Sequence, residues 1–168
     1  MTAPEELHVV FNAGGRSGFP GYALAAAAIG ELQLAGRIAI LDQFVQLREP
    51  TPTGNPVLDR VLTQIRDSHP RKVSTWILRL GHNGTVRRSI QASNQGADAI
   101  VKRLRASLEN IDNAPPQDRL ELAIVAHADF GLLGRKEKTR VISRASFPEI
   151  VTGLQTATAA TTLLLIAG

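Results

Sequence analysis

The chain of 168 residues has no cysteine and few aromatic residues, with one tryptophan, one tyrosine and five phenylalanines. Without cysteine, disulfides, thiolate metal sites and cysteine nucleophiles are all excluded. Proteins that bind single-stranded nucleic acid stack bases on aromatic side chains, and the few aromatics here fall mostly within apolar stripes. The composition therefore argues against nucleic acid as a partner.

Long apolar runs and a secretory leader are also missing. Residues 1–6 carry two acids and no base, which is unlike the basic start of a signal peptide. The longest apolar stretch, residues 157–167, is interrupted by threonines and is shorter than the ~20 residues of a membrane-spanning helix. We therefore expect a cytoplasmic protein that contacts membranes only peripherally.

No pattern of reactive residues points to catalysis. The histidines, at positions 8, 69, 82 and 127, lack the spacing of a metal site. There is no Gly-x-Ser-x-Gly elbow around a nucleophilic serine. We therefore expect a non-enzymatic protein with no metal and no cofactor.

What the chain does have is an excess of arginine. Fifteen arginines and four lysines stand against fifteen acids, for a formal net charge of +4. This bias has two explanations: GC-rich coding of the gene, or a surface that binds anions, because guanidinium groups pair with phosphates in a bidentate manner. The charge admits an anionic partner without identifying it.

Apolar periodicity predicts a mainly α-helical chain. Residues 21–35 form an apolar, alanine-rich helix that Gly36 should end in a left-handed conformation. Residues 37–41 and 44–48 should pair as a β-hairpin, and residues 7–11 have the character of a short strand. Further helices are predicted at 56–68, 72–80, 97–111, 118–133 and within 147–168.

Two features of these helices bear on the core. The helix at 118–133 is apolar around nearly its whole circumference and should be the most buried element. In the helix at 97–111, Lys102, Arg103 and Arg105 should point away from the apolar stripe. We expect one domain over residues 1–168, a helical bundle with a small β-hairpin element near the N-terminus.

A helix-entry motif is the most specific pattern in the chain. Asn55 is suited to cap a helix and Pro56 to occupy its first position. The stretch Thr53-Gly54-Asn55-Pro56-Val57-Leu58-Asp59, followed by Trp76-Ile77, resembles the Golgi phosphoprotein 3 family of phosphoinositide-binding peripheral membrane proteins. Three further stretches look like that family's first core helix, its buried central helix and its closing helix: residues 21–38, 119–128 and 158–167.

The resemblance implies a short, bacterial-type family member that binds anionic phospholipid headgroups, in the family phosphatidylinositol 4-phosphate, at a membrane surface. The segment 81–96 is shorter than in the family, where it carries a β-hairpin and an arginine pair that holds the lipid phosphate. The family's other lipid contacts, a tryptophan and an arginine, fall at Arg16 and Ala25. The alternative is therefore a protein–protein adaptor of the same fold that has lost the lipid site. Because the missing hairpin is an oligomer contact in the family, we expect a monomer.

Two groups of bases are candidates for holding the headgroup. The loop around Arg16, residues 14–18, could form a nest of backbone N–H groups for an anion, with a flexible turn as the alternative. Arg87 and Arg88 are the nearest substitutes for the missing arginine pair, with a solvated surface as the alternative.

A third basic group is predicted to face the membrane. Residues 135–140 form the densest positive run, and we expect them to be a connector between helices. On a peripheral protein each base near an anionic leaflet contributes ~1 kcal/mol, while a solvated loop is the alternative. The predicted membrane-facing patch consists of Arg135, Lys136, Lys138 and Arg140.

Overall fold

The computed structural model describes residues 1–14, 20–90, 96–128, 133–144 and 147–167. These residues form a mainly α-helical domain with a small three-stranded sheet. The helices are α1 Ala3–Gly14, α2 Pro20–Leu34, α3 Pro56–Arg66, α4 Val73–His82, α5 Thr85–Ser89, α6 Ala97–Glu109, α7 Pro116–Ala128, α8 Arg135–Ser143 and α9 Pro148–Ala167. The strands are β1 Ile38–Leu41, β2 Phe44–Leu47 and β3 Arg71–Lys72.

The α2 helix lies at the centre, with α1, α4, α7 and α9 packed against it. Residues 23–29 are fully buried, and most of them are alanine. Small side chains let neighbouring helices approach: a Cβ added to Gly30 would overlap Leu120 of α7, and one added to Gly153 would lie 2.7 Å from Val73 Cγ1. The predicted core helix is confirmed, and α7 is buried alongside it over residues 120–126.

The predicted strand at residues 7–11 is wrong, because this segment belongs to α1. Ala3, Leu7, Val10 and Phe11 are all buried, and their spacing of four, three and one residues is that of one helical face. Five residues were too short a window to reveal that period. The start of α1 is also tied to α2, since the Ala3 N–H donates to Glu31 Oε2 at 3.1 Å.

The β-hairpin is confirmed and is extended by a strand that was not predicted. β1 and β2 pair antiparallel with Ile38 opposite Leu47 and Leu41 opposite Phe44. Asp42 and Gln43 turn the chain with φ of 48° and 67°, as a two-residue hairpin loop requires. The short β3 pairs with β2 on its other side.

The helix-entry motif folds as the sequence predicts. Asn55 Oδ1 accepts hydrogen bonds from the N–H groups of Val57 at 2.9 Å and Leu58 at 3.1 Å, which satisfies donors that would otherwise be orphaned at the start of α3. Trp76 of α4 is fully buried in the core.

The basic run 135–140, expected to be a connector, is instead most of the helix α8. Its start is stabilised by Glu137 Oε2, which accepts a hydrogen bond from the Gly134 N–H at 2.6 Å, and Val141 anchors it in the core. The described part of the chain contains no helix long and apolar enough to cross a bilayer.

Candidate functional site

The start of α2 and the end of α4 touch through glycine. A Cβ on Gly21 would lie 2.8 Å from the Gly81 carbonyl oxygen. A Cβ on Gly81 would overlap the ring of Tyr22 and lie 3.0 Å from Tyr22 Cα. Both positions therefore need glycine, and Tyr22 lines two depressions of the surface.

The first depression, which we call the cationic cleft, is an open site of about 320 Å³. It is lined by Pro20, Gly21, Tyr22, Gly81, His82, Gly84 and Arg87. Gly84 adopts φ 59°, a left-handed conformation that glycine tolerates, and this turn places α5 beside α2. The first turn of a helix carries partial positive charge. Arg87 and the start of α2 both line the cleft, so both contribute positive potential there.

The second depression, which we call the apolar cleft, measures about 520 Å³. It is lined by Tyr22, Thr75, Leu78, Arg79, His82, Asn83 and Thr161. Thr161 of α9 donates a hydrogen bond to the Tyr22 hydroxyl at 3.0 Å, which holds the ring between α4 and α9. Tyr22 and His82 line both clefts, so the two sites are neighbours.

The two arginines of α5 have different surroundings. Arg88 Nη2 donates a hydrogen bond to the backbone carbonyl of Asn83, just after α4. Arg87 is exposed and forms no ion pair with any described residue. Burial and, secondarily, the positive charge of Arg87 lower the pKa of His8 on α1. Arg87 is therefore the base that faces the cationic cleft, whereas Arg88 is used within the fold.

The other predicted bases lie elsewhere. Arg16 falls outside the described residues, four positions before α2 begins. Arg135 and Lys136 are exposed on α8, which packs on α7 rather than on the walls of the cationic cleft. Arg140 Nη2 donates to the Glu109 carbonyl oxygen at 3.0 Å, at the end of α6. Lys138 of the same helix is half-buried.

A buried ionic cluster between α1, α6 and α7 escaped the sequence prediction. Arg103, expected to point outward, instead faces three acids: Glu6 at 2.5 Å, Asp118 at 3.1 Å and Glu121 at 3.1 Å. We call these four residues the Arg103 cluster. Glu121 is fully buried, and a buried acid in an otherwise apolar helix was the signal that a base must approach it.

The acids of the Arg103 cluster outnumber its base. Burial, followed by the nearby carboxylate of Glu6, raises the pKa of Glu121 from 4.5 to about 8. Gln117 Nε2 donates to Glu121 Oε1 at 3.1 Å, and Ser107 Oγ donates to Asp118 Oδ2. Because each of the three acids has a partner inside the protein, we interpret the cluster as a structural joint between helices and not as an open site. Among the described residues, no group of three or more acids or histidines is arranged to hold a metal.

Comparison with known proteins places these features in a family context. The sequence model of Golgi phosphoprotein 3 (GPP34) matches residues 13–110, more than half of the chain. The matched region includes α2, α4, α5 and the turn at Gly84 between the last two, which together supply every described residue that lines the cationic cleft. It excludes α9, which supplies Thr161 to the apolar cleft. The curated proteins contain no match to this chain.

Proposed function

The chain belongs to the Golgi phosphoprotein 3 (GPP34) family, and we propose that it is a non-enzymatic, peripheral membrane protein that binds the phosphorylated headgroup of an anionic phospholipid. The observation that carries this proposal is the cationic cleft, where exposed Arg87 faces the start of α2. In family terms the headgroup would be that of phosphatidylinositol 4-phosphate. No catalytic step, metal or cofactor is part of the proposal.

The chemistry of the cleft suits a phosphate. A helix N-terminus favours anions through its partial positive charge and its backbone N–H groups. Arg87 adds a guanidinium group, the side chain best matched to phosphate oxygens. No aspartate or glutamate is among the described lining residues, so no carboxylate of that lining repels an anion.

The remaining bases are proposed to support membrane contact. Arg16 lies in the segment that leads into α2, and we propose that it contributes to headgroup selectivity. The exposed Arg135 and Lys136, with Lys138 and Arg140, would face the leaflet as a basic patch. Such contacts are screened over ~8 Å at 0.15 M salt, so total binding should weaken as salt rises.

Vesicle cosedimentation tests the proposal. Liposomes of phosphatidylcholine alone, with phosphatidylinositol, and with phosphatidylinositol 4-phosphate are compared at low and physiological salt. We expect binding to be strongest with the phosphorylated headgroup and to fall by about tenfold or more in Arg87→Gln. Arg105→Gln is the matched control, because Arg105 is an exposed arginine on α6 that lines neither cleft.

The patch on α8 is tested separately. Reversing the charges of Arg135, Lys136 and Lys138 together should lower total binding to all anionic vesicles without changing headgroup preference. Charge reversal at Arg16 should reduce the preference for the phosphorylated headgroup more than it reduces total binding.

The second candidate function is a protein–protein adaptor of the same fold. It is favoured by the short segment between α4 and α6 and by Arg88, which is held by the Asn83 carbonyl instead of facing the cationic cleft. If the protein ignores phosphatidylinositol 4-phosphate vesicles even at low salt, the lipid proposal fails and the adaptor takes its place.

A further inference from the structure

The apolar cleft begins where the cationic cleft ends. Tyr22 and His82 line both clefts, while Arg87 lines only the cationic cleft and Leu78 only the apolar cleft. A ligand seated against both would have an anionic end beside Arg87 and an apolar portion beside Leu78. A molecule with an anionic end and an apolar portion is an amphiphile.

The walls of the apolar cleft come from three helices. Thr75, Leu78, Arg79 and His82 are spaced along one outward face of α4, opposite the inward Trp76, Ile77 and Leu80, which are fully buried. Asn83, just after α4, lies beside them, and Tyr22 of α2 and Thr161 of α9 complete the lining. The volume of about 520 Å³ falls within the ~300–1,000 Å³ of small-molecule sites.

The charged side chain that lines this cleft, Arg79, packs against Trp76. The Arg79 guanidinium carbon lies 5.6 Å from the centre of the Trp76 ring, which is the range of a cation–π contact. The stem of Arg79 can thus cover apolar surface while its charge stays near the cleft mouth. No acid is among the described lining residues of either cleft, which disfavours a cationic ligand or a basic peptide.

We propose that the apolar cleft takes up one acyl chain of the phospholipid whose phosphate binds in the cationic cleft. This inference rests on the proposed function and extends it: the bound species is a single lipid, gripped by headgroup and tail, rather than a headgroup recognised at an undisturbed membrane surface. Tyr22 and His82 then contact the region between phosphate and tail. The occupant is specified by continuity of the two clefts and by their charge.

Chain length in soluble ligands tests the inference. Calorimetry compares the deacylated headgroup glycerophosphoinositol 4-phosphate with dibutanoyl and dioctanoyl phosphatidylinositol 4-phosphate, each below its micelle concentration. Each methylene buried from water is expected to tighten binding by up to about fourfold. Lengthening the chain from four to eight carbons should therefore tighten binding by at least about tenfold, allowing for incomplete burial.

Variants locate the tail. Leu78→Gln places a polar group on the wall, and Thr75→Phe fills part of the cleft from an exposed position on α4. Both should abolish the gain from chain length and leave affinity for the deacylated headgroup unchanged. Leu34→Gln is the matched control, since Leu34 is 40% exposed at the far end of α2 and lines neither cleft.

Each outcome supports or overturns a specific statement. If the headgroup and the dioctanoyl lipid bind equally well, the tail stays outside: the inference fails while the proposed function stands. A chain-length gain that survives in both Leu78→Gln and Thr75→Phe also overturns the inference, because the tail then lies elsewhere. If neither the headgroup nor any lipid binds, the proposed function itself has failed.

Discussion

The Arg103 cluster and the cationic cleft use arginine in opposite ways. Arg103 is surrounded by Glu6, Asp118 and Glu121, the last of them fully buried. Arg87 is exposed beside the start of α2, and no acid lines its cleft among the described residues. After burial, its positive charge is the second cause of the lowered pKa of His8. A base whose charge is matched inside the fold stabilises a helix junction, whereas an unmatched base at the surface remains available for an external anion.

This difference should separate stability from binding in mutants. Removing one partner of a buried ionic group leaves an uncompensated charge, which costs much more than the intact pair contributes. Removing a surface base with no partner changes the free energy of unfolding by less than about 0.5 kcal/mol. Substitutions in the two regions should therefore divide into those that change stability and those that change binding.

The largest expected effect is on stability in Arg103→Met. This change leaves three acids without their base, and the free energy of unfolding should fall by about 3 kcal/mol. That value is at the low end for buried pairs because the Arg103 side chain is 39% exposed and partly solvated. Urea denaturation measures it, with Arg105→Met on the same helix as the exposed control. Equal, small losses in the two variants would show that the Arg103 cluster is not a structural joint.

A smaller loss is expected at the glycine contact between α2 and α4. Gly81→Ala places a Cβ 3.0 Å from Tyr22 Cα and 2.2 Å from Tyr22 Cδ1, so the Tyr22 ring and the α2 backbone must shift away from α4. Overpacking of this kind costs about 1–3 kcal/mol, from which up to ~1 kcal/mol of helix propensity is regained. Thermal and urea unfolding measure the loss, and headgroup binding should weaken with it.

The control for that substitution is Gly134→Ala. Its added Cβ would contact only the carboxylate of Glu137, at 3.3 Å, and that side chain can move. Comparable losses of stability in both variants would contradict the assignment of Gly81 as a close-packing position.

The third prediction is the pH dependence that Glu121 confers. Its pKa is about 8 in the folded protein against an ordinary 4.5, so between these values the folded state holds a proton that the unfolded state has lost. The stabilisation is fully present below about 4.5, and linkage makes the free energy of unfolding fall as pH rises towards 8, by at most ~1.4 kcal/mol per pH unit.

Glu121→Gln isolates that slope. The amide mimics the protonated acid and should remove the part of the fall between about pH 4.5 and 8 that Glu121 contributes; burial also raises the pKa of Glu31, and that contribution is common to both proteins. The lowered pKa of His8 acts in the opposite direction, with stability lost as pH falls, but it is common to both proteins and cancels in the comparison. Parallel pH profiles of urea stability in wild type and variant would contradict the assignment.

The features predicted correctly from sequence are those that depend on neighbouring residues. The Asn55 cap, the end of the core helix at Gly36 and the hairpin each follow from residue types within a few positions. The mainly helical fold and the buried helix at residues 21–35 followed from apolar periodicity.

The features that were missed depend on contacts between distant parts of the chain. Arg103 meets Glu6 across 97 positions, so the polar appearance of its helix face could not reveal that it points inward. Gly21 and Gly81 approach closely where α2 meets α4 beside the cationic cleft, and nothing local to either glycine indicates the other. The α8 helix was hidden by its charge, since only Val141 is buried among its residues.

The smallest expected effect on stability, and the sharpest test of the comparison, comes from the adjacent bases of α5. Arg88→Gln removes a hydrogen bond to the Asn83 carbonyl and should lower the free energy of unfolding by about 0.5–1.5 kcal/mol, with little change in headgroup affinity. Arg87→Gln should leave stability within about 0.5 kcal/mol of wild type and reduce binding of phosphatidylinositol 4-phosphate vesicles. Urea denaturation and cosedimentation on the same preparations give both quantities.

If Arg88→Gln weakens binding as much as Arg87→Gln does, the headgroup binds both bases and the hydrogen bond from Arg88 to the Asn83 carbonyl is broken on binding. If only Arg87→Gln loses binding, Arg87 alone of the two bases binds the headgroup. That result is the one expected if an arginine without an acidic partner binds an external anion, while a paired arginine such as Arg103 stabilises the fold.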